Sequence, residues 1–252
     1  MTAPPDFIGI GTHLSGALWW AGLLGDHPLV HAPADGQWPQ DFFVPFCSRP
    51  MTDDDVAAYH ARFPRRGPGV VGEWSQRYLY DAWTLPLLRR AAPDARLLVM
   101  LRDPAERYRA ALSIRLGEER EHGKWISMTD FVHRARYATQ LQTLFAFFDP
   151  AQVLVLQYEQ CLAAPLAQYE RTLRFLGVEP GRAPQRIRRL QRRRRLRLRP
   201  VRPTPKDQRT VELWPDVLTA LRTELAPEIA ALEQLAPEVD TRLWRDFWST
   251  AA

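Results

Sequence analysis

Residues 96–104, which read RLLVMLRDP, indicate the fold most directly. After Arg96 come five consecutive apolar residues without a polar position, which is typical of a strand buried on both faces of a parallel sheet. Pro104 has no backbone N–H and suits the first turn of a helix, so the strand is predicted to lead directly into a helix. A strand that passes at once into a helix is the repeating unit of an α/β protein.

Similar apolar runs lie before and after this strand, with helical segments between them. Strands are predicted at residues 6–11, 70–72 and 152–156. Helices are predicted at residues 15–24, 52–62, 78–90, 129–148 and 165–176, and two or three more towards residue 248. Apolar strands that alternate with helices indicate a parallel sheet covered on both faces. We therefore expect an α/β fold in a single domain that spans residues 1–252.

Composition and cysteine spacing exclude several classes of protein. The longest apolar stretch, residues 16–25, has ten residues, whereas a membrane-spanning helix needs about 20. The first six residues lack the positive charge of a secretory signal. Cys47 and Cys161 lie far apart without metal-ligand spacing. The sequence therefore predicts a cytoplasmic protein without a membrane span or a bound metal.

Four segments, taken in their order and spacing, resemble the nucleotide-activated sulfotransferases. They are residues 7–28 (FIGIGTHLSGALWWAGLLGDHP), 72–79 (GEWSQRYL), 97–107 (LLVMLRDPAER) and 153–159 (VLVLQYE). The resemblance covers most of the chain and favours the glycosaminoglycan-type and bacterial branches of the family. It implies a P-loop-type central parallel sheet flanked by helices, which is the sulfotransferase fold. The implied reaction moves a sulfuryl group from 3′-phosphoadenosine 5′-phosphosulfate (PAPS) to a hydroxyl or amine of a small molecule.

The resemblance also implies which residues bind PAPS. Backbone N–H groups at a helix N-terminus bind phosphate well, because the helix dipole favours negative charge there. The loop between the first strand and its helix is therefore expected to cradle the 5′-phosphate, and the segment after Arg102 to bind the 3′-phosphate. The residues implied for PAPS are Gly11, Thr12, His13, Ser15, Gly16, Arg102 and Ser113.

The loop departs from the family pattern at its charged position. The lysine that usually steadies the leaving oxygen falls on Leu14 when the His-Pro pair at residues 27 and 28 is aligned. Two small hydroxyl residues expected after Gly16 are Ala17 and Leu18. His13 is the residue predicted to replace the lost cation, although an imidazole is only partly charged near neutral pH.

The site for the 3′-phosphate departs from the pattern as well. Arg102 matches the arginine of the family, but the serine expected eight residues later is Ala110. Ser113, about one helical turn further on, is predicted to substitute for it.

The proton acceptor of the reaction is predicted at residues 73–75. The glycosaminoglycan-type branch has a Glu-Lys-Ser motif whose glutamate acts as the base, and here the sequence is Glu73-Trp74-Ser75. A carboxylate in a partly dry pocket has a raised pKa, which suits a general base. We therefore predict Glu73 as the base, with Trp74 and Ser75 contacting the substrate and Trp74 making the pocket around Glu73 more apolar.

One segment carries the surplus positive charge. Residues 182–209 contain 13 basic residues and one acidic residue, a net charge of +12, whereas the remaining chain has 21 basic against 28 acidic residues, or −7. A proline-containing run of arginines with one acid cannot easily neutralise its charges internally. We expect this Arg-rich segment to be mobile, to lie across the mouth of the active site, and to bind an anionic ligand or an acidic partner. It lacks the interleaved aromatic residues of nucleic-acid binders, which disfavours nucleic acid.

Two further hypotheses belong to other functional classes. A nucleotide kinase would need Gly-x-x-x-x-Gly-Lys-Ser/Thr, but residues 11–18 (GTHLSGAL) have their glycines one position too close, with neither the lysine nor the hydroxyl. The main prediction is a PAPS-dependent sulfotransferase of bacterial specialised metabolism. The alternative is a sulfotransferase fold that has lost PAPS chemistry, as a partner subunit of a competent enzyme or an enzyme repurposed for another anionic substrate. A protein partner or a homo-oligomer is left open by the sequence.

Overall fold

The computed structural model describes residues 3–38, 40–65, 67–122, 128–195 and 211–248. Within these residues five strands form one sheet in the order β2-β3-β1-β4-β5, and every neighbouring pair is parallel. The strands are β1 (Phe7–Gly11), β2 (Val30–His31), β3 (Val70–Trp74), β4 (Arg96–Leu101) and β5 (Val153–Gln157). The predicted parallel α/β sheet is therefore confirmed, and the sequence pattern missed only β2, which has two residues.

Helices cover both faces of this sheet. They are α1 (Ala17–Leu24), α2 (Asp53–Ala61), α3 (Thr84–Ala91), α4 (Pro104–His122), α5 (Thr129–His133), α6 (Tyr137–Phe145), α7 (Tyr158–Ala163), α8 (Pro165–Phe175), α9 (Gln185–Arg195), α10 (Pro215–Leu235) and α11 (Arg245–Trp248). Among the described helices, none combines the length and apolar composition needed to cross a bilayer.

Strand alternation divides the apolar side chains into two cores. In β4, Leu97, Val99 and Leu101 pack with α2–α6 and α10, whereas Leu98 and Met100 face α1 and α7–α9. Successive side chains of a strand point to opposite faces, so each strand contributes to both cores. The carboxyl ends of all five strands consequently meet at one edge, where the loops that follow β1, β3 and β4 lie together.

Some helix boundaries differ from those predicted. The predicted helix 78–90 begins only at Thr84, because residues 75–83 form turns over the end of β1, where the Leu79 N–H donates to the Ile10 carbonyl oxygen (2.7 Å). The predicted helix 129–148 is divided into α5 and α6. The helix predicted at residues 52–62 has the expected N-terminal cap, in which the Thr52 hydroxyl and the Asp55 carboxylate bind each other's backbone N–H.

The Arg-rich segment is partly a packed helix. Ile187 of α9 is completely buried against α8, and Arg186 lies 3.2 Å from Asp26 and donates to the Gly22 carbonyl oxygen (3.1 Å). Gly22 and Asp26 lie at the far end of α1, about 12 Å along the helix from the loop that precedes it. The prediction of a position over the active site is therefore wrong for residues 185–195, because an apolar face anchors them at the far end of α1. The prediction of mobility stays a prediction. Residues 196–209 lie outside the described residues.

Candidate functional site

The loop between β1 and α1 has an unusual backbone. Gly16 caps α1 with φ +82°, a left-handed conformation that glycine adopts without a Cβ clash. A Cβ on Gly16 would lie 2.5 Å from the ring of Tyr158, so the backbone also approaches this ring closely. Leu14 has φ +63°, which is rare for a branched residue and is found mainly where the surrounding structure imposes it.

The two hydroxyl groups of the loop are used inside it. The Thr12 N–H and hydroxyl both donate to the Met100 carbonyl oxygen on β4, at 3.0 and 2.8 Å. Thr12 Oγ1 and Ser15 Oγ lie 2.5 Å apart, and both residues are buried. The predicted ligands Thr12 and Ser15 thus hold the loop against β4.

Leu14, at the position of the family's lysine, belongs to the structural part of the loop. Its side chain packs against the core on the α4–α6 face, and its carbonyl oxygen accepts a hydrogen bond from Arg102 Nη1 (3.1 Å). The position that carries the cation in the family is therefore apolar here and faces protein.

His13 does not replace that cation. Burial, together with the positive charges of Arg134, Arg107 and Arg77, lowers its pKa from 6.5 to about 4. A histidine with this pKa is neutral at physiological pH. The prediction of His13 as a substitute cation is therefore wrong, although its ring still lies beside three arginines.

Those three arginines form a cluster next to the loop that the sequence analysis did not single out. Arg77 follows β3, Arg107 lies on α4, and Arg134 caps the C-terminus of α5. Arg77 Nη2 lies 2.9 Å from Asp81, and Arg134 Nε donates to Asp130 at 2.7 Å. Two of the three arginines are therefore neutralised in pairs.

Arg107 differs from its neighbours because it is completely buried and has no acidic partner among the described residues. Its Nη2 donates to the Phe131 carbonyl oxygen, while Nε and Nη1 have no partner among the described residues. Tyr137 lies beside both Arg107 and Ser15, so one side chain connects the guanidinium to the loop. Burial lowers the pKa of Arg107, but an arginine keeps its proton in proteins. The site therefore contains a buried charge that an anion would neutralise.

Arg102 lies after β4, as predicted, and is already engaged. Its guanidinium is 6% exposed, stacks 4.9 Å from the Tyr158 ring centroid, and forms a 2.9 Å ion pair with Glu106. It lines a cavity of about 170 Å³ that also contains acidic side chains. Those acids are Asp103, Glu106, Glu159 and Asp246. Burial raises the pKa of Glu159 to about 7, so this carboxyl group in the cavity keeps its proton to a higher pH than a carboxyl group in water does.

Ser113 lies on α4, half-buried, two turns beyond Glu106 on the same face of the helix. The sequence prediction of Ser113 as a ligand beside Arg102 stays a prediction.

Glu73 is the penultimate residue of β3 and lies in a closed environment. Its carboxyl group is completely buried and accepts a hydrogen bond from the Tyr59 hydroxyl (2.5 Å) and longer ones from the Tyr78 hydroxyl (3.4 Å). Burial raises its pKa to about 8, against the lowering effect of the two tyrosines. Glu73 is therefore mostly protonated at neutral pH, and the described residues leave its carboxyl group no access to solvent.

Trp74 does not share the pocket of Glu73. Neighbouring residues of a strand point to opposite faces, so Trp74 lies in the α1-side core while Glu73 contacts the other core. Its indole is completely buried, covers Gly9, and lies 6.5 Å from the Trp38 ring. The prediction that Trp74 contacts substrate beside Glu73 is wrong.

Ser75, the last residue of the predicted motif, is buried and donates a hydrogen bond to the Asp41 carboxylate. Its N–H donates to the Gly9 carbonyl oxygen (2.7 Å), which fixes Ser75 beside the end of β1. Asp41 lies in the loop that leads into residues 42–46. The sequence analysis did not predict it as a site residue, because no motif surrounds it in the sequence.

Groups suited to an anion are concentrated around the loop. Nitrogen atoms without a partner among the described residues are grouped here, on His13, Arg77 and Arg107, and the left-handed Gly16 leaves the start of α1 without a side-chain cap. Such a donor set suits an anion. At the predicted 3′-phosphate site, Arg102 is paired with Glu106, and the arginines at residues 197–209 lie outside the described residues.

Comparison with known proteins supports the predicted family. Residues 76–181 match the model of the Sulfotransferase family, which agrees with the resemblance to sulfotransferases, while the glycosaminoglycan-type branch stays a prediction. The matched span contains the three arginines of the cluster and Arg102, and begins after the loop and Glu73. No curated protein matches the chain at significant similarity.

Solved structures show the same fold. The crystal structure of a sulfotransferase from Alicyclobacillus acidocaldarius is 24% identical, with a TM-score of 0.71 over 96% of this chain and 99% of that chain. The crystal structure of sulfotransferase STF9 from Mycobacterium avium is 12% identical, with a TM-score of 0.57 over 91% of this chain and 77% of that chain. The sulfotransferase fold predicted from the sequence is confirmed.

Proposed function

The chain carries a sulfotransferase-family segment within a sulfotransferase fold, and from this premise we propose that it transfers a sulfuryl group from PAPS to a hydroxyl or amine of a small molecule. The observation that carries the proposal is the buried guanidinium of Arg107, which Tyr137 connects to the loop and which has no acidic partner among the described residues. A buried charge is stable only when a partner compensates it. An anionic donor in the loop supplies that compensation.

The residues have separate parts in this proposal. The loop from Gly11 to Gly16 and the start of α1 hold the 5′-phosphate, and Arg102 contacts the 3′-phosphate. Arg107 takes the electrostatic role of the missing lysine, because a fixed cation next to a leaving oxygen stabilises the charge that develops there. Neutral His13 contributes a hydrogen bond. When bound, PAPS supplies a sulfuryl group already activated by its link to phosphate. A role in bacterial specialised metabolism stays a prediction.

Calorimetric titration with 3′,5′-adenosine bisphosphate tests the proposal. We expect wild-type protein to bind the nucleotide. Arg107→Lys shifts the position of the positive charge and removes the paired N–H donors of the guanidinium. Arg134→Ala removes a neighbouring cation without removing a core side chain. Each should weaken affinity about ten- to a hundredfold, the value of one charge-assisted hydrogen bond.

Arg136→Ala is the matched control, because Arg136 is also an arginine but pairs with Glu224 on the surface. It should leave the affinity unchanged. Wild-type protein that stays folded and shows no binding at millimolar nucleotide would overturn the proposal.

That negative result would favour the alternative, a sulfotransferase fold without PAPS chemistry. Two observations support this alternative: Leu14 stands in the lysine position and packs against the core, and Arg102 is neutralised by Glu106. Such a protein would serve as a partner subunit or act on another anionic substrate. Binding of sulfate or phosphate without binding of the nucleotide would separate the second of these from the first.

A further inference from the structure

Sulfuryl transfer to a hydroxyl or amine requires a group that takes the proton of the acceptor. Carboxylates are the candidates at the carboxyl edge of the sheet, and those near the loop are Asp41, Glu73, Asp81 and Asp130. Asp81 lies 2.9 Å from Arg77, and Asp130 accepts hydrogen bonds from Arg134 and Tyr80. Against the opposing effect of burial, the hydrogen bonds from Tyr80 and Arg134 lower the pKa of Asp130, which makes it a weak base. Asp81 is buried and its carboxylate is held by Arg77, so an acceptor molecule cannot approach it.

Glu73 is unsuited to act as the base for a different reason. Its carboxyl group is completely buried beneath Tyr59 and Tyr78, and it keeps its proton at neutral pH. An acceptor molecule cannot reach it without displacing the aromatic side chains around it. Glu73 is thus a buried acid.

Asp41 has the properties that the other three lack. It is half-buried, whereas Glu73 and Asp81 are buried, and it forms no ion pair with any cation in the described ranges. The Ser75 hydroxyl donates to its Oδ1, which orients the carboxylate at the end of β1. Its backbone has φ +47°, a conformation that costs free energy in a residue other than glycine and is concentrated at functional sites.

Electrostatics place Asp41 next to the other groups of this edge. Its negative charge raises the pKa of Tyr78 and Asp81 and adds to the effect of burial on Glu73. The nearby cation is Arg62, which lowers the pKa of Glu73 and lies over the ring of Phe42. Asp41 is thus a half-buried carboxylate whose charge acts on the completely buried Glu73.

We propose that Asp41 is the proton acceptor of the transfer reaction and that Ser75 positions it. This inference rests on the proposed function. As the acceptor oxygen or nitrogen forms its bond to sulfur, its bond to hydrogen breaks and the proton passes to a carboxylate oxygen of Asp41. The bond between sulfur and the phosphate oxygen breaks in the same reaction, and that oxygen leaves with the electron pair. The hydrogen bond from Ser75 occupies Oδ1 and fixes the carboxylate, so Oδ2 is the oxygen that takes the proton.

The test compares Asp41→Asn, Ser75→Ala and Glu73→Gln in full-length protein, with 4-nitrophenol, tyramine and glucosamine as acceptor probes. Asp41→Asn should lower kcat about a hundred- to ten-thousandfold, as the loss of a general base does. Its affinity for 3′,5′-adenosine bisphosphate should equal that of wild type. Ser75→Ala should lower kcat and leave KM unchanged, because it misplaces the base without removing a substrate contact. Glu73→Gln tests the competing assignment and should lower kcat far less than Asp41→Asn does.

Each other result has one meaning. Turnover of Asp41→Asn within twofold of wild type, or a larger loss in Glu73→Gln than in Asp41→Asn, overturns the assignment and leaves the proposed function standing. Loss of nucleotide affinity in Asp41→Asn shows a role in folding or donor binding and also overturns it. Wild-type protein that fails to bind nucleotide, or binds it and modifies none of the probes, overturns the proposed reaction and with it the role of Asp41.

Discussion

The indole of Trp74 lies directly on Gly9, in the volume that a side chain at residue 9 would need. The two residues are register partners in the β1–β3 pair, so the contact is fixed by the sheet. Glycine at position 9 is therefore required for packing against Trp74, besides belonging to the glycine-rich end of β1. Trp74, predicted to contact substrate, is the residue that imposes this requirement.

Gly9→Ala should destabilise the protein strongly. An added Cβ would overlap the Trp74 ring, and both residues lie in the fully packed centre of the sheet, so we expect a loss of about 3 kcal/mol or more in the free energy of unfolding. Urea denaturation measures it. Gly22→Ala is the control: Gly22 lies inside α1, its nearest neighbour is an Arg186 atom at 3.8 Å, and alanine there should stabilise by about 0.5–1 kcal/mol. Equal stability of the two variants would contradict the packing of Trp74.

The fold was predictable because its signals are local. Five apolar residues before Pro104 predict β4 and α4, and the Thr52–Asp55 cap predicts the start of α2. β2 has two residues and forms by pairing with β3, so no local sequence pattern predicts it. The division between α5 and α6 likewise depends on tertiary contacts.

The site was predictable only in part. The loop before α1 follows from its glycines and from the resemblance, but the neutral state of His13 depends on three arginines that are distant in the sequence. Arg107 was visible in the quoted motif, yet its lack of an acidic partner among the described residues is a property of packing. Trp74 was misplaced although strand alternation carries the signal: had β3 been extended to residue 74, Glu73 and Trp74 would have been assigned to opposite faces.

Glu73 should make stability depend on pH. The folded protein keeps the carboxyl proton up to a pKa of about 8, whereas the unfolded chain loses it near the ordinary value of 4.5. Between these values the native state binds more protons, so the free energy of unfolding should fall as pH rises, by at most about 1.4 kcal/mol per pH unit. Glu73→Gln removes this term, so its stability relative to wild type should increase steadily from pH 5 to pH 8.

Urea denaturation of both proteins at four pH values in this range checks the slope. Glu179→Gln changes an exposed carboxyl group, so its free energy of unfolding should depend on pH as that of wild type does. If Glu73→Gln also runs parallel to wild type, the buried carboxyl is ionised in the folded state, and the distinction drawn between Glu73 and Asp41 loses its basis.

Arg102 and Glu106 should act in opposite directions on nucleotide binding. If Arg102 contacts the 3′-phosphate, Arg102→Ala should weaken binding of 3′,5′-adenosine bisphosphate about ten- to a hundredfold and leave binding of 5′-AMP unchanged. Glu106→Gln removes the carboxylate that pairs with Arg102 at 2.9 Å and should strengthen binding of the bisphosphate. Calorimetry with the two nucleotides measures both effects. Equal losses for the two nucleotides in Arg102→Ala would instead indicate that Arg102 supports the loop through its bond to the Leu14 carbonyl oxygen.

The arginines at the start of α9 should resist trypsin although they are exposed. Cleavage requires local unfolding, and Ile187 anchors the helix in the core that it shares with Tyr169 and Leu173. Ile187→Ala creates a cavity that costs about 2–5 kcal/mol, so it should open the helix and expose the bonds after Arg188 and Arg189. Mass spectrometry of early digestion products identifies these cuts. Gln185→Ala, on the exposed face of the same helix, should leave the digestion pattern unchanged. Rapid cleavage after Arg188 or Arg189 in wild-type protein would mean that α9 opens readily, as the charge density of the segment alone predicts.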